Sequence, residues 1–261
     1  MTSPPPSAPL TLDVQDGVAT LTLASPATLN ALSMAMLDAL RAAFDRIAGD
    51  AGISVAILAA EGKAFSAGHD LKEMQGYRSA PDGGAAQFQA LFDRCSAVMQ
   101  QIAALPQPVI ARVQGVATAG GCQLACTCDL IVAAETARFG VNGINLGLFC
   151  STPAVALSRR LAPGVAFELL TTGEFLSAPR ARDLGVVNRL APPEALAEET
   201  LTLARRIAAQ DPQAIRIGKR AFRAQLSLPL DQAYRVAGAA IVENALLPSA
   251  DRGIQAFIDR R

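Results

Sequence analysis

Apolar and polar residues alternate from Thr11 to Val14 and again from Val18 to Leu23, with Gln15-Asp16-Gly17 between the two runs. A period of two on either side of an Asp-Gly step predicts a β-hairpin. From Ser33 to Ile47 the period lengthens to that of a helix, with Leu37, Leu40, Ala43, Phe44 and Ile47 falling on one face. Ser54 to Ala60, Val109 to Val113 and Leu130 to Ala134 are short apolar runs that predict strands. Gly83 and Gly84 precede an amphipathic helix from about Ala85 to Ala104, which Pro106 and Pro108 end. The last third reads as helices only: Pro192 to Ala209, Pro212 to Ala224, Leu230 to Ala245 and Ser249 to Arg260, several of them started by proline. The pattern predicts an α/β core over residues 10–199 and a helical region over 200–261. Residues 1–9, rich in proline and serine, read as a disordered arm.

Apolar residues are 51% of the 261 and charged residues 18%, enough for one large core with a small second unit. Lysine plus arginine and aspartate plus glutamate both total 23, so the chain has no overall basic excess, which argues against nucleic acid as the main partner and leaves room only for a local basic patch. No uncharged apolar run reaches the roughly 18 residues of a membrane span. The start has no basic residue, and so lacks the features of a secretion signal or a transit peptide. The five cysteines, an odd number spread through apolar segments, predict reduced thiols. Together these features predict a cytoplasmic protein. Cys122, Cys126 and Cys128 lack the spacing of paired zinc-binding cysteines, and no histidine lies near them. Buried thiols are the better reading, and no metal is expected. The single histidine, His69, narrows imidazole chemistry to one position.

Two glycine segments carry the candidate chemistry. Gly62-Lys63-Ala64-Phe65-Ser66-Ala67-Gly68-His69-Asp70-Leu71 follows the strand at Ser54 to Ala60, and Ala117-Thr118-Ala119-Gly120-Gly121-Cys122-Gln123-Leu124 follows the strand at Val109 to Val113. Small residues let a ligand approach backbone N–H groups, and those at a helix start suit a developing oxyanion. Each segment alone is also explained by tight turns under close packing.

Together, in this order and spacing, they resemble the enoyl-CoA hydratase/isomerase, or crotonase, family. The resemblance runs from the hairpin and Leu29-Asn30-Ala31-Leu32 to Gly253-Ile254-Gln255-Ala256-Phe257. It implies a spiral of β-β-α turns, a C-terminal helical region used in assembly as a homotrimer or dimer of trimers, and a coenzyme A thioester as ligand with no resident cofactor. It places an oxyanion hole at the backbone N–H groups of His69 and Gly120. It places contacts to the acyl group and the coenzyme A arm at Thr28, Leu29, Ala31, Lys63, Ala64, Phe65, Ala67 and Gly68. Phe257 either closes over that arm or packs within the C-terminal helices. Lys63 either meets a phosphate or is a solvated side chain. Asp70 reads as a helix cap, and Asn30 as a loop organiser.

One departure matters. The family hydrates enoyl thioesters with two glutamates, and those positions fall on Gln123 and Gly143. Glutamine has no useful acid–base function near neutral pH, and glycine offers only backbone. One branch of the family likewise lacks both. The resemblance therefore implies an acyl-CoA enzyme of the hydratase/isomerase type with an atypical site. Its rivals are other enolate chemistry (isomerisation, decarboxylation or thioester hydrolysis) and a non-catalytic acyl-CoA binder. Cys150 is a candidate replacement if a helix start lowers its pKa; otherwise it is a small packed side chain. The imidazole of His69 is either a second candidate or a loop side chain.

Overall fold

The computed structural model describes residues 8–260, so the expected arm over 1–9 lies almost wholly outside the described residues. Strands β1 (Leu10–Gln15) and β2 (Val18–Leu23) pair antiparallel from Leu10↔Leu23 to Gln15↔Val18. The turn is only Asp16-Gly17, at φ 51° and 76°. That is the pair of left-handed angles a type I′ turn needs, and Gln15 therefore belongs to the strand. Helix α1 (Met34–Gly49) follows, its first turn capped by the Ser33 hydroxyl accepting from Met36 N.

From there the chain repeats one unit: two strands, a corner between them, then helix. The first unit is β3 (Val55–Ala60), β4 (Ala64–Ser66), α2 (Leu71–Tyr77) and α3 (Ala85–Ala104). The second is β5 (Val109–Val113), β6 (Val116–Thr118) and α4 (Gly120–Thr127). The third is β7 (Leu130–Ala134), β8 (Arg138–Gly140), α5 (Ser151–Leu157) and α6 (Pro163–Thr172). Then come β9 (Phe175–Ser177), α7 (Ala178–Asp183), β10 (Arg189–Ala191) and the helices α8 (Leu196–Ala208), α9 (Pro212–Gln225), α10 (Leu230–Ala245) and α11 (Pro248–Ile258).

The first strand of each unit joins a sheet ordered β1-β2-β3-β5-β7-β10, and the second joins a sheet ordered β4-β6-β8-β9. Neighbours are parallel except the hairpin and β8–β9. Each unit thus advances both sheets by one strand, which is the expected spiral of β-β-α turns ahead of C-terminal helices. The strands of the second sheet are three residues each, too short to show a period in the sequence.

Phe44, Phe65, Phe139, Leu21 and Leu37 are among the fully buried side chains of a continuous core. Helix α8, which runs through position 200, packs on β3, β5 and β7 and so covers the core. Beyond it burial drops: α9 buries only Ile217 among its residues, and α10 and α11 bury none. A polar anchor pins α9 instead. Lys219 Nζ donates to Asp129 Oδ2 at 2.6 Å and to Gln107 O at 2.9 Å, and Arg223 donates to Asp129 Oδ1 at 2.7 Å. Asp129 Oδ2 also accepts from Val109 N at 2.8 Å, so one carboxylate ties α9 to the start of β5.

Candidate functional site

The site grows from one buried side chain. Asn30, fully buried and at φ 54°, accepts from Ser25 N at 2.9 Å and donates to Glu61 O and Ala64 O, both at 2.9 Å. Its carbonyl accepts from Ser66 Oγ at 2.8 Å. It is the loop organiser expected, and it fixes residues 25–30 against β4. The two strands of chain then zip together: Ala67 N donates to Leu29 O at 3.0 Å and Leu32 N to Gly68 O at 2.7 Å. Leu29, Ala31, Ala67, Gly68 and His69 are thereby brought side by side. Asp70 caps α2, its Oδ1 accepting from Lys72 N at 2.9 Å and Glu73 N at 3.2 Å.

The second glycine segment meets the first edge to edge. A methyl group on Gly68 would lie 3.0 Å from Gly120 N, and Gly121 backs onto the Ser66 carbonyl too closely for any side chain. Glycine at these positions is therefore a condition of the two loops touching. Ala119 turns the chain into α4 at φ 48°, ψ −120°, a conformation costing an alanine about 1–3 kcal/mol. It is held by Ala119 N donating to Gly140 O and Ala119 O accepting from Gln123 N, both at 3.0 Å. Gly120 is the first residue of α4, and neither its N–H nor that of His69 has an acceptor among the described residues. At the far end of α4, Arg160 donates to the carbonyls of Cys126 (2.5 Å), Cys128 and Asp129 (3.3 Å). The guanidinium there meets the negative end of α4, and the open N–H of Gly120 at the other end suits an anion.

The His69 ring is wedged between elements. Its Nδ1 lies 3.2 Å from Leu32 O, and the ring stands perpendicular to that of Phe92 on α3, centroids 5.3 Å apart at 87°. Its Cδ2–Nε2 edge is 3.5 Å from where a Gly120 methyl would be. Nε2 is buried with no hydrogen-bond partner among the described residues. Burial pushes the imidazole below its ordinary range, with the Leu32 carbonyl and Glu73 acting in opposition. Gln123, 4% exposed, lies on α4 one turn beyond Gly120 and also holds a buried, unpartnered oxygen, Oε1.

Gly143 sits in the short 3₁₀ turn Asn142–Leu146, tied to the site by Thr118 Oγ1 bonding Asn142 Oδ1 at 2.5 Å. It packs against Cys150, which precedes α5. Of the two readings of Cys150, the small packed side chain fits: burial pushes the thiol up, and a backbone hydrogen bond from Gly143 offsets this only in part. The Phe65 side chain is fully buried in the main core, and the Ala64 carbonyl beside it accepts from Asn30. Thr28 and Lys63 are exposed. Phe257, on α11, is 60% exposed, so packing among the C-terminal helices leaves most of it open in the single chain. The second glycine segment begins within β6, which holds Ala117 and Thr118 and delivers the chain to Ala119. The sequence gives no sign of Phe92 as a neighbour of His69, because its apolar character is indistinguishable from that of core residues, and Leu32 stands out only as part of the Leu29–Leu32 segment.

The family model for enoyl-CoA hydratase/isomerase matches residues 13–261. The mitochondrial enoyl-CoA hydratase domain-containing protein 3 of Rattus norvegicus is 42% identical over 95% of this chain and 81% of its own length. The crystal structure of the human protein of that name superposes with a TM-score of 0.92 at 40% identity, covering 97% of this chain and 98% of its own. An enoyl-CoA hydratase structure from Mycobacterium smegmatis gives 0.93 at 49% identity, covering 98% of both chains. The vertebrate relatives are mitochondrial proteins, which overturns the cytoplasmic expectation. Free thiols mark a reducing environment and do not name the compartment.

Proposed function

Because this chain belongs to the enoyl-CoA hydratase/isomerase family, we propose that it binds an acyl-CoA thioester and stabilises its enolate by paths other than efficient hydration. The observation that carries this is the pair of unpaired N–H groups, His69 and Gly120, on two loops pressed together at Gly68. Both donate to one oxygen as the thioester carbonyl gains charge; a single donor of this kind is typically worth about 10²–10³ in rate. The donors are backbone atoms fixed by Asn30 and by the Ala119 turn, so they need no reorganisation when charge develops. The coenzyme A arm runs along Thr28–Ala31 and Lys63–Ala64, where the Asn30 loop meets β4.

At the positions of the hydratase glutamates stand Gln123 and Gly143, and general acid–base groups are typically worth about 10²–10⁴ each. Hydration of a short enoyl-CoA is therefore expected to be very slow. The test is calorimetry of an acyl-CoA against the matching free acid and against free coenzyme A, with turnover recorded for a panel of enoyl and acyl esters. Selective binding of the thioester is expected; equal affinity for the free acid removes the reading. Hydration in the ordinary enzyme range of about 1–10³ per second refutes the loss of acid–base function.

Assembly as a trimer or dimer of trimers is part of the same reading. Phe222 on α9, Leu226 just after it, Ile241 and Val242 on α10, and Ile254 on α11 are each exposed, in the region that buries least in the single chain. Apolar side chains left open on these helices support an interface between copies. Light scattering at micromolar concentration is expected to give a multiple of three, and a monomer contradicts it.

A further inference from the structure

We propose that the cleft between the β1–β2 hairpin and α8 binds a small zwitterionic carboxylate, whose acid group pairs with the guanidinium of Arg112. The inference does not rest on the thioester reading, because no residue lining this cleft belongs to either glycine segment.

Strand register builds the cleft. Asp13 pairs with Thr20, Thr20 with Ile57, and Ile57 with Ile110, so these side chains leave the six-stranded sheet on one face. Arg112, two residues beyond Ile110 on β5, joins them. Between this face and α8 lies a cleft of about 200 Å³, into which Thr20, Ile57 and Arg112 project from the strands and Leu201 from the helix. Ile57 is buried, and Thr20, Arg112 and Leu201 are half-buried; they form the floor. Asp13, Asp16, Glu198 and Arg205 line the same cleft and are exposed; they form the rim.

The floor holds a charge with no counterpart. Arg112 makes no hydrogen bond, ion pair or ring contact among the described residues. Arg160, Arg216 and Arg223, also half-buried, each donate to protein oxygens. The Thr20 hydroxyl is likewise without a hydrogen bond among the described residues. Burial holds the Arg112 guanidinium below its ordinary pKa, yet arginine stays charged throughout the ordinary range. Partial desolvation of an unpaired charge is costly. The planar fork of a guanidinium matches a carboxylate with two parallel hydrogen bonds, and it faces open space here.

The rim and the size narrow the ligand. Three carboxylates and one guanidinium surround the mouth, and none of the four is in an ion pair among the described residues. A dianion such as phosphate is disfavoured by that excess, whereas an ammonium at the far end of a carboxylic acid is favoured. The rim charges are exposed, so this preference is small and screened by salt. A volume of about 200 Å³ is room for about seven waters at liquid density, below the roughly 300–1,000 Å³ of clefts that take drug-sized ligands. The fitting class is therefore a short amino acid.

The test is saturation-transfer NMR on the full chain with four probes: γ-aminobutyrate, butyrate, butylammonium and inorganic phosphate. Wild type is expected to bind γ-aminobutyrate at millimolar concentration, and butyrate about threefold more weakly at low salt. Arg112→Met keeps an unbranched stem against Leu201 and removes the fork. It is expected to lose about tenfold or more in γ-aminobutyrate affinity. No γ-aminobutyrate binding by wild type, or equal binding by Arg112→Met, overturns the proposal and means that the guanidinium is satisfied by water. Phosphate or butylammonium binding as tightly as γ-aminobutyrate overturns the ligand class. If Arg112→Met fails to fold, Arg112→Lys keeps the charge without the fork and is expected to bind γ-aminobutyrate more weakly than wild type; equal binding by it overturns the paired carboxylate.

Discussion

A methyl group added at Gly143 is expected to destabilise the protein through two specific contacts. The residue does not have a left-handed φ, so its backbone angle gives alanine no difficulty. The difficulty is space. The new Cβ would lie 2.6 Å from Leu148 O and 2.7 Å from Cys150 Sγ, well inside the roughly 3.5–4.0 Å of favourable contact. Leu148 cannot simply withdraw, because Leu148 N donates to Gly143 O at 3.0 Å and closes the same turn. Cys150 is buried and has little room to rotate away. Overpacking of this kind costs about 1–3 kcal/mol. For a chain of this size each kcal/mol lowers Tm by about 2–4 °C. Gly143→Ala is therefore expected to melt several degrees below wild type, with a matching shift in the urea midpoint at constant slope. The double variant Gly143→Ala/Cys150→Ala removes one of the two collisions and should show a favourable coupling of about 0.5 kcal/mol or more. A Gly143→Ala stability within about 0.5 kcal/mol of wild type refutes the reasoning. The result bears on function too. Glutamate at 143 meets the same two atoms, so Gln123→Glu/Gly143→Glu can raise hydration only in a protein whose melting has first been shown to survive.

Two further outcomes follow from charge and burial. His69 is held below its ordinary pKa of 6.5, so in the window below 6.5 the unfolded chain binds a proton that the native chain does not. Its contribution to stability is complete above 6.5 and is lost as pH falls toward the lowered native value. As the only histidine in the chain, it should dominate the stability slope between about pH 7 and 5 in urea titrations, and His69→Gln should flatten it. An unchanged slope contradicts the burial argument. Asp129→Ala leaves Lys219 Nζ, on a side chain 8% exposed, without its carboxylate. The expected loss is about 3–5 kcal/mol, with the C-terminal helices releasing first in hydrogen exchange; a loss under about 1 kcal/mol would show that water reaches the lysine.

The elements with a long period were legible in the sequence. The hairpin, α1, α3, α10 and the strands at Val109–Val113 and Leu130–Ala134 come from apolar spacing that local chain geometry dictates. The resemblance carried the two glycine segments and the positions of Gln123 and Gly143, because motif order survives without coordinates. The second sheet did not show, since strands of three residues have no period to read. The site chemistry was decided by tertiary structure. That Gly68 and Gly120 touch depends on Asn30 tying together chain positions over 30 residues apart. That Nε2 of His69 is the free nitrogen depends on where Leu32 O falls, and the raised Cys150 pKa depends on how deeply the thiol is buried. A sequence names the titratable groups; burial and partners assign their protons, and those are properties of the packed molecule.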